Sequence, residues 1–260
     1  EHSTECFVRE LSKYIWYRPA IPADTNKCHV LTPLCRTMAN ESLCHSDTMQ
    51  QDYRELWDEA RYRKVLEIRH EDILYFIAGQ LRPNNPAMRF FYAFNMILIV
   101  WFLITIWKDT GTAPFSLLSA SMFFIAGIPL FLILLVPLHE LLHALVFFLL
   151  GARKVRIIPK WKKLMVYAVA DKFVMNFREF VFLALTPFVV INVVLVLLLV
   201  FVPEVVKYAI WSALFFHATG CIGDFALLGF LSRNNPAKTV NYDDFSEQKT
   251  FFFEKISNVD

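Results

Sequence analysis

"PLFLILLVPLHELLHALVFFLL", residues 129–150, decides the fold class. It carries His139, Glu140 and His143 inside an apolar run that extends from Phe115 to Gly151. One bilayer crossing takes ~20 apolar residues as a helix, so this run belongs to a membrane rather than to a soluble core. The rest of the chain agrees. Of 260 residues, 56% are hydrophobic, 26 are Phe and only 19% are charged, whereas soluble domains carry about 25% charge. A polytopic, mainly α membrane protein is the class that fits.

Three further segments are long enough to span. Phe90–Trp107 has no charge and has aromatic rings near both ends, where Trp and Tyr favour the membrane interface. Phe180–Val202 and Val205–Leu231 follow, separated by little more than "PE". The Phe115–Gly151 run exceeds one crossing, so a bend is expected at Pro129 or Pro137, with the histidines on the segment after it. Four transmembrane helices are therefore expected, with the membrane domain at 89–231.

The hydrophilic parts orient the bundle. Between the second and third spans, Gly151–Arg178 holds eight Lys or Arg against one acid, Asp171, and by the positive-inside bias this loop faces the cytoplasm. With four crossings, the hydrophilic amino-terminal region (1–88) and the tail (232–260) lie on the same side. "VRIIPKWKKLMVYAVA" alternates partly in the manner of a strand, which admits a short β element in the 151–178 loop; an interfacial anchor on anionic headgroups fits it equally. In the leading region, Leu56, Trp57, Ala60 and Ile68 are spaced to suit one or two amphipathic helices. Cys6, Cys28, Cys35 and Cys44 fall there too, in no tight zinc spacing, and read as reduced thiols. The first residue is Glu rather than Met, which suits a trimmed start, and nothing in the chain points to nucleic acid.

The motif carries chemistry. On a helix His139 and His143 stand one turn apart on one face, so both imidazoles reach a single ion at ~2.0–2.1 Å. Glu140, to one side of the pair, is placed to take a proton from water activated by zinc without being a ligand. Its location strengthens the reading. An ionisable group at mid-membrane costs about 2.5–3.5 kcal/mol even on a lenient scale, which an unused cluster would not repay.

A catalytic zinc needs a third protein ligand, and within the apolar spans the candidates are Asp224 and His217. Seven residues apart, they share a helix face about two turns from one another, so only one is expected beside His139 and His143. Asp224 is the better choice, because a carboxylate in hydrocarbon stays charged only where a cation holds it. His217 is then a candidate to orient a ligand or to stabilise an oxyanion.

"HELLHAL", the basic loop, "LALTPFVVIN" and "GDFALL" together resemble the putative zincin peptidase family of bacterial membrane proteins, and more distantly the site-2 protease class of intramembrane metalloproteases. The likeness covers roughly residues 115–245. It implies zinc held by His139, His143 and Asp224, with Glu140 as the catalytic base. Asn192 would be a substrate-binding candidate, although its "TPFVVIN" is spaced differently from the Gly-Pro-x-x-Asn element of site-2 proteases. It also implies a multi-pass protein of a bacterial cell membrane that hydrolyses membrane-protein or peptide substrates. Two other classes remain open: a proton- or ion-conducting protein that relays charge along the same residues, and a catalytically silent scaffold.

Overall fold

The computed structural model describes residues 51–82, 84–111, 116–160 and 165–256. The four cysteines of the leading region lie outside the described residues. A short 3-10 turn at Tyr53–Trp57 leads into strand β1 (Tyr62–Arg69) and the small apolar helix α1 (Ile73–Gln80). The first span is α2 (Pro86–Thr110), capped by the buried Asn85, whose side chain accepts the Met88 N–H while Pro86 opens the helix. The second is α3 (Leu117–Leu130), a π-helical turn (Phe131–Leu135) and α4 (Val136–Leu149) in continuous succession. After it come strands β2 (Val155–Lys160), β3 (Met165–Ala170) and β4 (Met175–Asn176). The third span, α5 (Phe177–Phe201), begins with a reciprocal capping box between Asn176 and Glu179. The fourth comprises α6 (Glu204–Gly220) and α7 (Ile222–Arg233), and strands β5 (Thr239–Asp244) and β6 (Lys249–Lys255) close the described chain.

The protein is thus mainly helical, with four helical spans long and apolar enough to cross a membrane among the described residues. Their outer faces expose Ile97, Leu103, Ile133, Phe182 and Val200, the pattern of helices whose solvent is lipid. The irregularity in the second span falls between the two prolines. The Val136 N–H reaches five residues back to the Phe131 carbonyl, a widened turn that accommodates the crowding and missing donor of Pro137.

The fourth span is broken. Helix α6 ends at Gly220, Cys221 has ψ near 5°, and α7 starts at Ile222. Gly220 and Gly223 flank the break, and both are weak helix formers. Gly223 also admits α1: a Cβ there would lie 3.4 Å from Ile77 Cδ1. A tighter approach occurs at Gly127, where a Cβ would meet the Ala209 carbonyl oxygen at 2.4 Å, so α3 and α6 pack backbone to backbone.

The strands gather at the end of the bundle where α2 begins, α4 ends, α5 begins and α7 ends. β2 and β3 form an antiparallel hairpin with Val155 opposite Ala170, which supplies the β element in the 151–178 loop. The other sheet has order β1-β6-β5-β4, all antiparallel. Residues 62–69 are therefore a strand and not part of an amphipathic helix. Their partner is Thr250–Phe253, nearly two hundred residues away, and a long-range apolar partner overrides a local helical spacing. On one face of the sheet, Tyr242, Phe251 and Phe253 pack with Leu56 and Val174. On the other, Ile68 and Phe252 join Val146, Phe147, Leu183 and Leu228 in the core beneath the bundle. That second face looks toward the histidine helix.

Candidate metal centre

Helix α4 presents His139, Glu140 and His143 within one turn and a half, with Glu140 and His143 buried. His143 Nδ1 lies 3.1 Å from the Leu183 carbonyl oxygen of α5. A carbonyl only accepts, so Nδ1 carries the proton and Nε2 is left with its lone pair. That Nε2 is 3.0 Å from His139 Nε2 and 3.5 Å from Asp224 Oδ1, while His139 Nε2 is 3.2 Å from Asp224 Oδ2. Asp224 stands in the first turn of α7, immediately after the break.

These separations fit zinc. Ligands ~2.0–2.1 Å from a tetrahedral ion stand roughly 3.4 Å from each other, close to the three distances seen. The donor set, two imidazoles and a carboxylate within 4.8 Å of one another, is one that catalytic zinc sites use.

Glu140 is held from the other side. Its Oε2 accepts the Ala168 backbone N–H at 2.7 Å. Ala168 pairs across the hairpin with Ile157, but its N–H is turned away from β2, so the outer edge of β3 faces α4. Between them lies a cavity of about 440 Å3 whose wall includes His139, Glu140, His143, His217 and Asp224. Phe131 and Leu132 of the π-helical turn and Leu74 and Ile77 of α1 line it as well.

The cavity extends to the sheet, where its wall is polar in a way that no sequence motif announces: His70, Tyr167, Asn241, Asp243 and Thr250. The Thr250 hydroxyl donates to Asp243 Oδ1 at 2.5 Å, the Tyr167 hydroxyl lies 3.4 Å from His70 Nδ1, and burial, helped by the charge of Asp243, pushes the Tyr167 phenol up. Only the period-two alternation in "TVNYDD", with Asn241 and Asp243 on one face, hints at it.

The two remaining sequence candidates sit behind the ligands. His217 Nε2 is 3.2 Å from His139 Nδ1, and His217 Nδ1 is 3.4 Å from Asn192 Oδ1. His217 touches the cavity and Asn192 does not, so the structure brings Asn192 to His217 and not to the space where a substrate would lie. Cys221, which sequence reasoning passed over, has Sγ 3.9 Å from both His139 Nδ1 and His217 Nε2.

This is the region in which the chain is similar to known sequences. Residues 132–239 match the putative zincin peptidase family. The match points to a metallopeptidase and carries the expectation of zinc, for which the His139, His143 and Asp224 cluster is a suitable holder. No curated protein and no solved structure matches the chain. The zincin match runs from the π-helical turn to the first residue of β5, so β1, α1 and β6, which complete the far wall of the cavity, fall outside it.

Proposed function

We propose that the protein is a zinc-dependent intramembrane metalloprotease that hydrolyses peptide bonds of membrane-associated substrates. The observation that carries the reading is the convergence of His139, His143 and Asp224 from two separate spans, with Glu140 beside them on a shared cavity. Zinc bound there supplies Lewis acidity toward the scissile carbonyl and lowers the pKa of water at the site to about 7.

The chain's own residues do the rest. Ala168 anchors one oxygen of Glu140, which leaves the other to accept the water proton and pass it to the leaving amine. A helical substrate hides its peptide groups in its own hydrogen bonds and must unwind before it is cut. Beyond the Ala168 N–H that Glu140 holds, the outward edge of β3 offers backbone partners to such an extended segment, so strand addition would lay it across the metal ligands. On this reading Gly151–Arg178 faces the cytoplasm, both termini share that side, and the protein is a multi-pass resident of a bacterial cell membrane, with lipid around its exposed apolar helices.

The test is elemental analysis of the purified full-length protein beside His139→Ala and Asp224→Ala. It is coupled to fragment release from a vesicle-reconstituted reporter carrying an unstructured segment next to its transmembrane helix. One zinc per chain is expected in the parent and none in the two variants. Glu140→Gln should keep the zinc and lose turnover by about 10²–10⁴-fold. A zinc-free parent protein, or undiminished cleavage by Glu140→Gln, would sink the proposal.

A further inference from the structure

We infer that His217 is a positioning residue: it accepts the Nδ1 proton of the ligand His139 and is itself oriented by Asn192, so that a directional chain across three helices aims His139 at the metal. The inference rests on the metal reading above.

The protons can be placed one at a time. The Asn192 amide nitrogen donates to the Phe188 carbonyl at 2.7 Å, which leaves Oδ1 as the group that faces His217. An amide oxygen only accepts, so His217 presents Nδ1–H to it. In a neutral imidazole the other nitrogen then has the lone pair, and His217 Nε2 meets His139 Nδ1 at 3.2 Å as an acceptor. His139 must donate there, which leaves its Nε2 unprotonated on the side of His143 and Asp224. One arrangement of protons satisfies the contacts from Asn192 through His217 to His139 Nδ1. It delivers the tautomer a metal ligand requires.

Burial makes the arrangement consequential. His217 is 1% exposed and Asn192 4%, so protein surrounds both side chains on almost every side. The two nitrogens of His139 diverge, and a group on the Nδ1 side cannot share an ion bound at Nε2. His217 therefore acts through His139 rather than on the metal. It does for His139 what the Leu183 carbonyl does for His143: each ligand histidine has its Nδ1 proton engaged from outside. His217 and Asp224, from consecutive helices on either side of Cys221, flank opposite edges of one imidazole ring.

The competing arrangement places the ion on the Nδ1 side, among His139, His217 and the Cys221 thiol. The cavity opens onto Asp224 and not onto Cys221, which favours the Nε2 side.

The experiment is titration of the chelator-stripped full-length protein in detergent with Co2+, followed by its visible absorption, and with Zn2+ by competition. The variants are His217→Leu, His217→Gln, Asn192→Leu, Cys221→Ser and Asp224→Ala, with thermal unfolding as the control for folding. His217→Leu should weaken metal binding 10–100-fold and alter the cobalt bands, because His139 loses its acceptor. His217→Gln should recover affinity to within a few-fold, since its amide oxygen can accept the same proton, and this rescue excludes a purely space-filling role. Asn192→Leu should produce a smaller loss of the same kind.

Parent-like affinity and spectrum in a folded His217→Leu would overturn the inference while leaving the metal reading intact. A near-ultraviolet sulfur-to-cobalt band that vanishes in Cys221→Ser would overturn it too, by placing the ion on the opposite side of His139. Failure of the parent protein to bind either metal, or binding indifferent to Asp224→Ala, would instead remove the metal reading and this inference with it.

Discussion

Helix α4 and the fourth span both bring ionisable groups to the same place, and they do so by different means. In α4, His139 and His143 are four residues apart, and any α-helix puts such residues on one face. In the fourth span His217 and Asp224 are seven apart, which on an unbroken helix means ~10 Å of axial separation. Here both come within 3.2 Å of one imidazole, from opposite edges, on a span whose helix stops at Gly220 and restarts at Ile222. A local spacing guarantees its geometry. A broken helix has to be held in place by its neighbours.

If the two means are equally necessary, removing one group from each should be equally damaging. His143→Ala and Asp224→Ala are both expected to abolish stoichiometric zinc by elemental analysis; a bound ion that survives Asp224→Ala would reduce the site to α4 alone. Next in size is the strand contact to Glu140. Ala168→Pro deletes the N–H that anchors Oε2 and should lower turnover about ten- to a hundredfold, with zinc content unchanged.

The support of the fourth span is tested at Gly127, where α3 and α6 touch through backbone. Gly127→Ala should cost about 1–3 kcal/mol of stability in detergent unfolding and also weaken zinc binding, since its Cβ pushes on the helix that leads into the break. Loss of stability with metal affinity untouched would show that the break is held elsewhere.

The smallest effect is expected at the sheet, outside the metal cluster. Asp244 sits buried at the turn between β5 and β6, where Oδ1 takes the Ser246 N–H at 2.8 Å, the Ser246 hydroxyl at 2.5 Å and the Glu247 N–H at 3.0 Å. Burial alone would raise its pKa, but the Ser246 hydroxyl, the backbone donors and Lys172 together bring it below the usual carboxylate value. A depressed folded pKa means stability that is present above the ordinary carboxylate range and lost as pH falls through the folded value. The β5–β6 turn should therefore loosen in acid, read as faster amide exchange at Ser246 and Glu247. Asp244→Ala should remove that acid sensitivity and about 1–2 kcal/mol while leaving zinc stoichiometry at one.

How much of this was legible in the residues depends on the range over which each feature is set. The four spans follow from run length and hydropathy, which are properties of consecutive residues, and the structure has them within a few positions of the expected ends. The pairing of His139 with His143 follows from helical pitch. Tyr62–Arg69 misled the reading because its apolar spacing suits a helix in isolation, while its strand partner lies at the other end of the chain. The polar wall of His70, Asn241 and Asp243 was barely legible for the same reason, since two distant stretches contribute to it.

By itself, then, the amino-acid sequence determined four helical spans long and apolar enough to cross a membrane and the pairing of His139 with His143 on one turn, because both follow from run length and helical pitch. It also made Asp224 the preferred third ligand, because a buried carboxylate needs a cation. Only the tertiary structure decided that Asp224 and His217 take opposite edges of His139, that Glu140 is tethered to β3, and that a sheet from both ends of the chain closes the cavity. Those arrangements depend on where a helix breaks and which distant strands pair, and such choices are made by packing across the whole molecule, beyond what neighbouring residues can specify.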